Sequence, residues 1–184
     1  MAIVIPYVKQ TWTDGSGGGT PISAARLGVL EEGILDVSQA PCVRVTHNAA
    51  QSTTSGVTLA LAFNTERFDQ AAGVASTMHD TVTNNSRLTA VYAGIYQISG
   101  SVEWAGNATG RRDLFIRSSV GAAQIAYVTH SNLANVTIEQ SITTLWSMAV
   151  NDYVELCVNQ TSGGALNVNS SASYSPEFMM VRVG

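Results

Sequence analysis

The chain has 184 residues, of which 45% are hydrophobic and only 12% charged, with a net charge of −4 and a pI near 5.2. That apolar content supports a folded chain with one main domain and a sizeable core. The acidic balance, with Lys9 as the only lysine, excludes the clustered cations that displace phosphate counterions and hence a nucleic-acid partner. Soluble monomers carry about a quarter of their residues as charges, so the low charge implies that part of the surface is buried against other chains. Ser, Thr and Asn supply most of the polarity, and they hydrogen-bond in an interface without the desolvation penalty of a buried charge. A secreted β-rich domain with a neutral, hydroxyl-covered surface is the alternative.

Met1 is followed by a short apolar stretch ending at Pro6, with no basic prefix and no long hydrophobic core. Neither a signal peptide nor membrane insertion is expected. The run from Trp12 through Asp14 to Gly19 reads as a flexible glycine-rich linker, and Thr20-Pro21 suits an N-cap followed by proline at the first helical position. From there Leu27, Leu30, Ile34 and Val37 recur at spacings of three, four and three, the rhythm of a coiled-coil seam. Gly28 and Gly33 each cost up to about 1 kcal/mol against Ala, and short isolated helices are marginal in water. This helix therefore needs a partner, either a copy of itself around a symmetry axis or a groove on a larger assembly. Residues 1–40 read as an arm and short helix for attachment and trimerisation, and 41–184 as a second unit.

Gln39-Ala40-Pro41 closes the helix, and strands are expected over 43–47, 57–63, 88–92, 96–104, 114–117, 124–129, 136–145, 153–159, 165–168 and 177–183. Their number and their short Gly/Asn/Ser connections favour an all-β sandwich or jelly roll. Tyr96, Ile98, Val102 and Trp104 alternate with Gln97, Ser99, Ser101 and Glu103, which gives one dry face and one wet face and fixes the register. Val136, Ile138 and Ile142 alternate in the same way with Thr137, Glu139, Ser141 and Thr143, as do Val154, Leu156 and Val158 with Tyr153, Glu155 and Cys157. Asn151-Asp152 makes the turn before the last of these. The polar stretch from Asn64 to Arg87 reads as a solvated loop. Its Asp69, His79 and Asp80 are too few to meet calcium's need for six or more oxygens, so no metal site is assigned. Cys42 and Cys157 lack any metal spacing and read as small buried residues, with a single bridge left open. Asn-x-Ser/Thr triplets begin at Asn84, Asn107, Asn135, Asn159 and Asn169, and a chain this rich in those residues produces them by chance.

A search for catalytic chemistry returns nothing specific. Gly15 to Gly19 lacks the Gly-Lys-Ser/Thr of a phosphate loop, no G-x-S-x-G or H-E-x-x-H occurs, and His47, His79 and His130 are scattered. No enzyme activity and no cofactor is expected. Trp104, Asn107, Arg111, Arg112, Tyr127, His130 and Asn132 mix aromatic rings with amide and guanidinium donors, which suits sugar rings; burial of Trp104, with the others as ordinary loop surface, is the competing reading. The Arg111-Arg112 doublet itself reads as a solvated turn.

Two resemblances add to this. From about Cys42 to Gly184 the chain resembles the globular heads of the first complement component and the tumour necrosis factors. The residues that carry it are Gly94-Ile95-Tyr96-Gln97-Ile98, similar to that family's G-x-Y-x-F strand; Asn151-Asp152-Tyr153-Val154-Glu155-Leu156, similar to its G-D-x-V-x-L turn and strand; and Tyr174-Ser175-Pro176-Glu177-Phe178, similar to its closing strand. The sequence departs from the pattern at Ile98, at Asn151 and in lacking a glycine after Phe178. This resemblance implies a jelly roll that trimerises through apolar and aromatic residues, with Tyr92, Tyr96, Tyr153, Tyr174 and Phe178 as candidates beside Leu30, Ile34 and Val37.

The second resemblance covers Trp12 to Ile34. Trp12-Thr13-Asp14-Gly15, then Thr20-Pro21-Ile22-Ser23-Ala24-Ala25-Arg26-Leu27, then Glu31-Glu32-Gly33-Ile34 are similar to the lead-in segment of many bacteriophage tail-fibre and minor virion proteins. It implies a structural protein on the virion surface, made in the bacterial host cytoplasm, with Trp12, Asp14, Thr20, Pro21, Ile22 and Leu27 anchoring a trimeric knob to other virion proteins. A tail fibre or minor tail protein that binds a host-surface glycan is the leading expectation. Capsid decoration (a head fibre) is the second, and a secreted bacterial lectin-like module the third.

Overall fold

The computed structural model describes residues 24–38, 40–71, 77–131, 134–171 and 174–184. The helix read from the Leu27, Leu30, Ile34 and Val37 spacing is α1 (Ala24–Ser38); the cap assigned to Thr20-Pro21 lies outside the described residues. Among the described residues twelve strands follow: β1 (Cys42–Thr46), β2 (Gln51–Thr53), β3 (Leu59–Ala60), β4 (Thr65–Gln70), β5 (Arg87–Thr89), β6 (Gly94–Trp104), β7 (Arg111–Ser118), β8 (Gln124–Ser131), β9 (Ile138–Met148), β10 (Tyr153–Gln160), β11 (Leu166–Asn169) and β12 (Glu177–Arg182).

They form two antiparallel sheets. In the first, β6 pairs with β9 on one edge and with β12 and β11 on the other; β12 leads to β1 and β4, and β11 to β2. In the second, β10 takes β7 and then β8 on one edge and β3 and β5 on the other. The alternation in β6 holds along its length: Tyr96, Ile98, Val102 and Trp104 are each at most 1% exposed. They meet Leu114, Ile116, Val154, Leu156 and Val158 of the second sheet in one core. Gly100 continues the inward row, and a Cβ there would lie 2.6 Å from Leu156 Cδ1. Phe63 stacks on Phe178 with centroids 5.8 Å apart.

Several expectations are corrected. The supposed loop from Asn64 to Arg87 contains β4, paired with β1; as an outermost strand exposed at nearly every residue, it has no dry face and no alternation to read. β2 went unseen for a different reason: at three residues it is too short to show a period. The strand expected over 57–63 shrinks to β3; Leu61 still donates to Leu156 O of β10, the residue next in register, and Phe63 turns away to donate to Asn85 O. Cys42 is half-buried rather than buried, with Sγ 3.9 Å from Gln70 Oε1. Cys157 is fully buried, the two thiols sit on different sheets, and both are free, so no bridge joins them. Glu155 and Cys157 point outward as their parity requires, yet both are covered, Glu155 by the arginines that pair with it.

Candidate functional site

The outer face of the first sheet is the most distinctive surface of the molecule. Register carries one row of side chains across β4, β1, β12, β6 and β9: Gln70, Cys42, Val181, Gln97 and Leu145. The next row is Phe68, Arg44, Met179, Ser99 and Thr143, and a third runs Thr46, Glu177, Ser101 and Ser141. The first two rows hold a single charge, on Arg44, and its Nη2 donates to Glu177 Oε2 at 2.8 Å. Phe68, Leu145 and Met179 are exposed, Leu145 at 60%, and Ile95 and Val183 extend the apolar strip beyond the first row. An apolar strip flanked by neutral hydroxyls and amides loses little on desolvation, which is the composition of a contact surface.

The far end of this face is different. Glu103 and Glu139 stand directly opposite each other across β6 and β9. Glu103 is held by Asn169 Nδ2 at 2.7 Å and by the Tyr174 hydroxyl at 2.9 Å. Tyr174 O accepts from Ser101 Oγ, so this exposed ring lies along the same face.

The other aromatic candidates for trimer contacts go elsewhere. Tyr96 and Phe178 are fully buried in the sandwich, because they belong to the inward parity of β6 and β12. Burial raises the Tyr96 phenol above its ordinary pKa, while its hydroxyl donates to Tyr92 O. Tyr92 is half-buried in the turn before β6. Tyr153 lies on the second sheet beneath the Arg87 guanidinium, 4.1 Å from its ring centroid. Sequence reasoning missed Met179, Val181 and Leu145. The signal was present in Phe178-Met179-Met180-Val181, a run apolar on both parities, which marks a strand meant to be covered on both faces. Leu27 and Ile34 are exposed on α1 and Leu30 is half-buried. Trp12, Asp14, Thr20, Pro21 and Ile22 lie outside the described residues, as does the Val37 side chain.

Of the seven sugar-contact candidates, Asn132 lies outside the described residues, and Trp104, Arg111, Arg112 and Tyr127 separate into two pairs. Arg111 and Tyr127 converge on Asp113 on the outer face of the second sheet. Arg111 Nε donates to Asp113 Oδ2 at 2.9 Å, and the Tyr127 hydroxyl and Thr129 Oγ1 donate to Oδ1 at 2.9 and 2.6 Å. The Asp113 carboxylate raises the Arg111 pKa. Tyr127 keeps half its surface exposed and packs against Phe115. Trp104 and Arg112, by contrast, are fully buried. They are core residues, not ligand contacts, and Arg112 is no solvated turn: its Nη atoms donate to the carbonyls of Asn107, Thr109 and Arg111.

The three histidines stand apart. His47 Nδ1 lies 3.1 Å from the donating Ala49 amide, His130 is exposed on β8, and His79 is buried with Nδ1 3.0 Å from Glu66 Oε1. Asp69 accepts the Met78 and His79 amides, and Asp80 those of Val82 and Thr83. Desolvation raises the Asp69 pKa, whereas the two amide bonds lower that of Asp80. These carboxylates serve to tie the 77–86 segment to itself and to β4.

No protein-family model matches the chain, and no curated protein matches it in sequence. Solved structures do match in shape. The globular domain of zebrafish complement 1qA protein superposes with a TM-score of 0.53 at 15% identity, covering 78% of this chain and 98% of that one. Tumour-necrosis-factor Eiger from S. frugiperda gives 0.57 at 8% identity, covering 79% and 94%. Murine APRIL gives 0.55 at 7% identity, covering 78% and 99%. The fold is a complement-1q and tumour-necrosis-factor jelly roll. At these identities the likeness speaks for the fold alone, which is the architecture expected from the strand motifs at Gly94, Asn151 and Tyr174.

Proposed function

We propose that this chain is a non-catalytic, self-associating surface module, a homotrimer whose subunits meet through the outer face of the first sheet. The observation that carries this reading is the strip of Phe68, Leu145, Met179 and Val181 set among uncharged Gln97, Ser99 and Thr143. The second sheet contrasts with it. There Glu155 sits between Arg117 and Arg87, and Asp113 is held by Arg111, so its charges are internally compensated and its face is finished in the single chain.

In this reading the trimer is a knob on a bacteriophage particle, a tail-fibre or minor tail adhesion protein docked by the segment from Trp12 to Leu27, with capsid decoration as the second placement. What supports it is the lead-in pattern of Trp12-Thr13-Asp14-Gly15 and Thr20-Pro21-Ile22. Arg111 and Tyr127 are then the outward-facing residues available to a host-surface glycan.

The test is solution mass. Light scattering on the intact chain should give three copies at micromolar concentration, and Leu145→Lys with Met179→Lys should give one copy with unchanged circular dichroism. A single-copy mass for the unaltered chain removes the proposal. Particles lacking the protein then separate the placements: lost adsorption marks the tail, and fragile heads with normal adsorption mark the capsid.

A further inference from the structure

We infer that α1 pairs in parallel and in register with α1 of other copies of this chain, forming a short coiled-coil clamp beside the head. The inference rests on the self-association proposed above and names the helix as a second contact. Three observations carry it.

The first is that α1 has an apolar seam left open. Leu27 and Ile34 are 49% and 68% exposed, and nothing lies within 4 Å of where a Cβ would stand on Gly28 or Gly33. A helix of 15 residues with this exposure is marginal alone in water.

The second is charge. Taking Leu27 and Ile34 as positions a and Leu30 and Val37 as positions d, Arg26 falls at g and Glu31 at e, five residues on. In a parallel coiled coil a g residue stands beside the e residue of the next heptad on the neighbouring helix, so every Arg26 meets a Glu31. An antiparallel partner loses that pairing.

The third is continuity. Only residues 39–41 separate α1 from β1, and Pro41 O already accepts the Arg182 amide at 2.9 Å. The helix therefore leaves the head at Cys42, in the same row as Val181, Gln97 and Leu145. Copies brought together on that face have their helices start side by side and point the same way.

The experiment uses the full chain with Leu30→Cys in a Cys42→Ser background, under mild oxidation. In-register parallel helices place the two new thiols together and give a covalent dimer, whereas Glu32→Cys, at position f outside the seam, should not cross-link. Arg26→Glu should slow the Leu30→Cys reaction at least tenfold, and adding Glu31→Arg should restore it. An oligomer by light scattering that shows no Leu30→Cys cross-link, or one indifferent to both charge changes, overturns the helix clamp and leaves the head interface standing. A single-copy mass at all concentrations overturns both.

Discussion

The Arg112 guanidinium carbon lies 5.9 Å from the centroid of the Trp104 indole, and both side chains are fully buried. Trp104 Nε1 donates to Gln140 Oε1 at 2.7 Å, and Gln140 Nε2 donates to Arg112 O at 3.1 Å, which links the two sheets at this end of the sandwich. Arg112 also holds the turn between β6 and β7 through the carbonyls of Asn107 and Thr109. Arg112→Ala should lower the unfolding free energy by about 3 kcal/mol, since it opens a cavity beside Trp104 and strips the partly buried carbonyls of Asn107, Thr109 and Arg111 of their donor. Denaturant melts check this, and a loss under about 0.5 kcal/mol, the range of ordinary surface substitutions, counts against a clamping role.

Gly100 leaves the gap that the Leu156 side chain fills from the opposite sheet, with its two methyl carbons 2.6 and 2.7 Å from where a Cβ would stand. Both neighbours on the inward row, Ile98 and Val102, are themselves fully packed, so Leu156 has nowhere to retreat. Gly100→Ala should cost about 1–3 kcal/mol by overpacking. Adding Leu156→Val should recover part of that loss, measured as a non-additive double-mutant cycle in urea.

The fold was legible where one face is dry and the other wet. Tyr96 to Trp104 and Val154 to Val158 declare their period, and from them the two-sheet core follows. Legibility fails at β4, which packs no core face, and at Leu61 and Phe63, whose side chains are buried beyond the end of β3, where Phe63 turns away to Asn85 O. The candidate surface was hidden for a different reason. Aromatic residue type pointed to Tyr96, Phe178 and Trp104, whereas parity along the same strands sends them inward and sends Met179, Val181 and Leu145 out. A residue's side of the sheet, not its chemical class, decides whether it can meet a partner.

Burial pushes the Cys157 thiol up to about 12, with the charge of Arg117 opposing that rise and Glu155 adding to it. Cys42 is raised as well, by desolvation and then by the charge of Asp69. At pH 8 the folded chain should therefore leave Cys157 untouched by a thiol-specific reagent and react slowly at Cys42, while both react in urea. Cys42 lies on the proposed contact face, so Leu145→Lys with Met179→Lys should speed its reaction.

The sign of the pH effect follows from the same shift. The folded state keeps the Cys157 proton that the unfolded state releases, so this stability is complete below about pH 9, the ordinary thiol value, and is lost as pH rises toward about 12. The slope contributed by this group is up to about 1.4 kcal/mol per pH unit. Cys157→Ala should remove it from alkaline melts, and identical slopes in the two proteins would exclude the thiol as the source.

Asp113, with its side chain only 4% exposed, organises the outer face of the second sheet by accepting from Arg111, Tyr127 and Thr129. Asp113→Asn keeps the shape and removes the charge, which weakens three charge-assisted bonds and should lower stability by about 1–2 kcal/mol. Tyr127→Ala removes a half-exposed ring on the outer face and should have little effect on the core, to which neither Tyr127 nor Phe115 belongs. If this face holds a sugar ring in the proposed adhesive knob, Tyr127→Ala and Asp113→Asn should both reduce glycan-array binding at least tenfold while the solution mass stays that of the assembly. Binding retained by both variants would move the ligand off this face, and the stability loss in Asp113→Asn alone would then mark the cluster as a brace for β7 and β8.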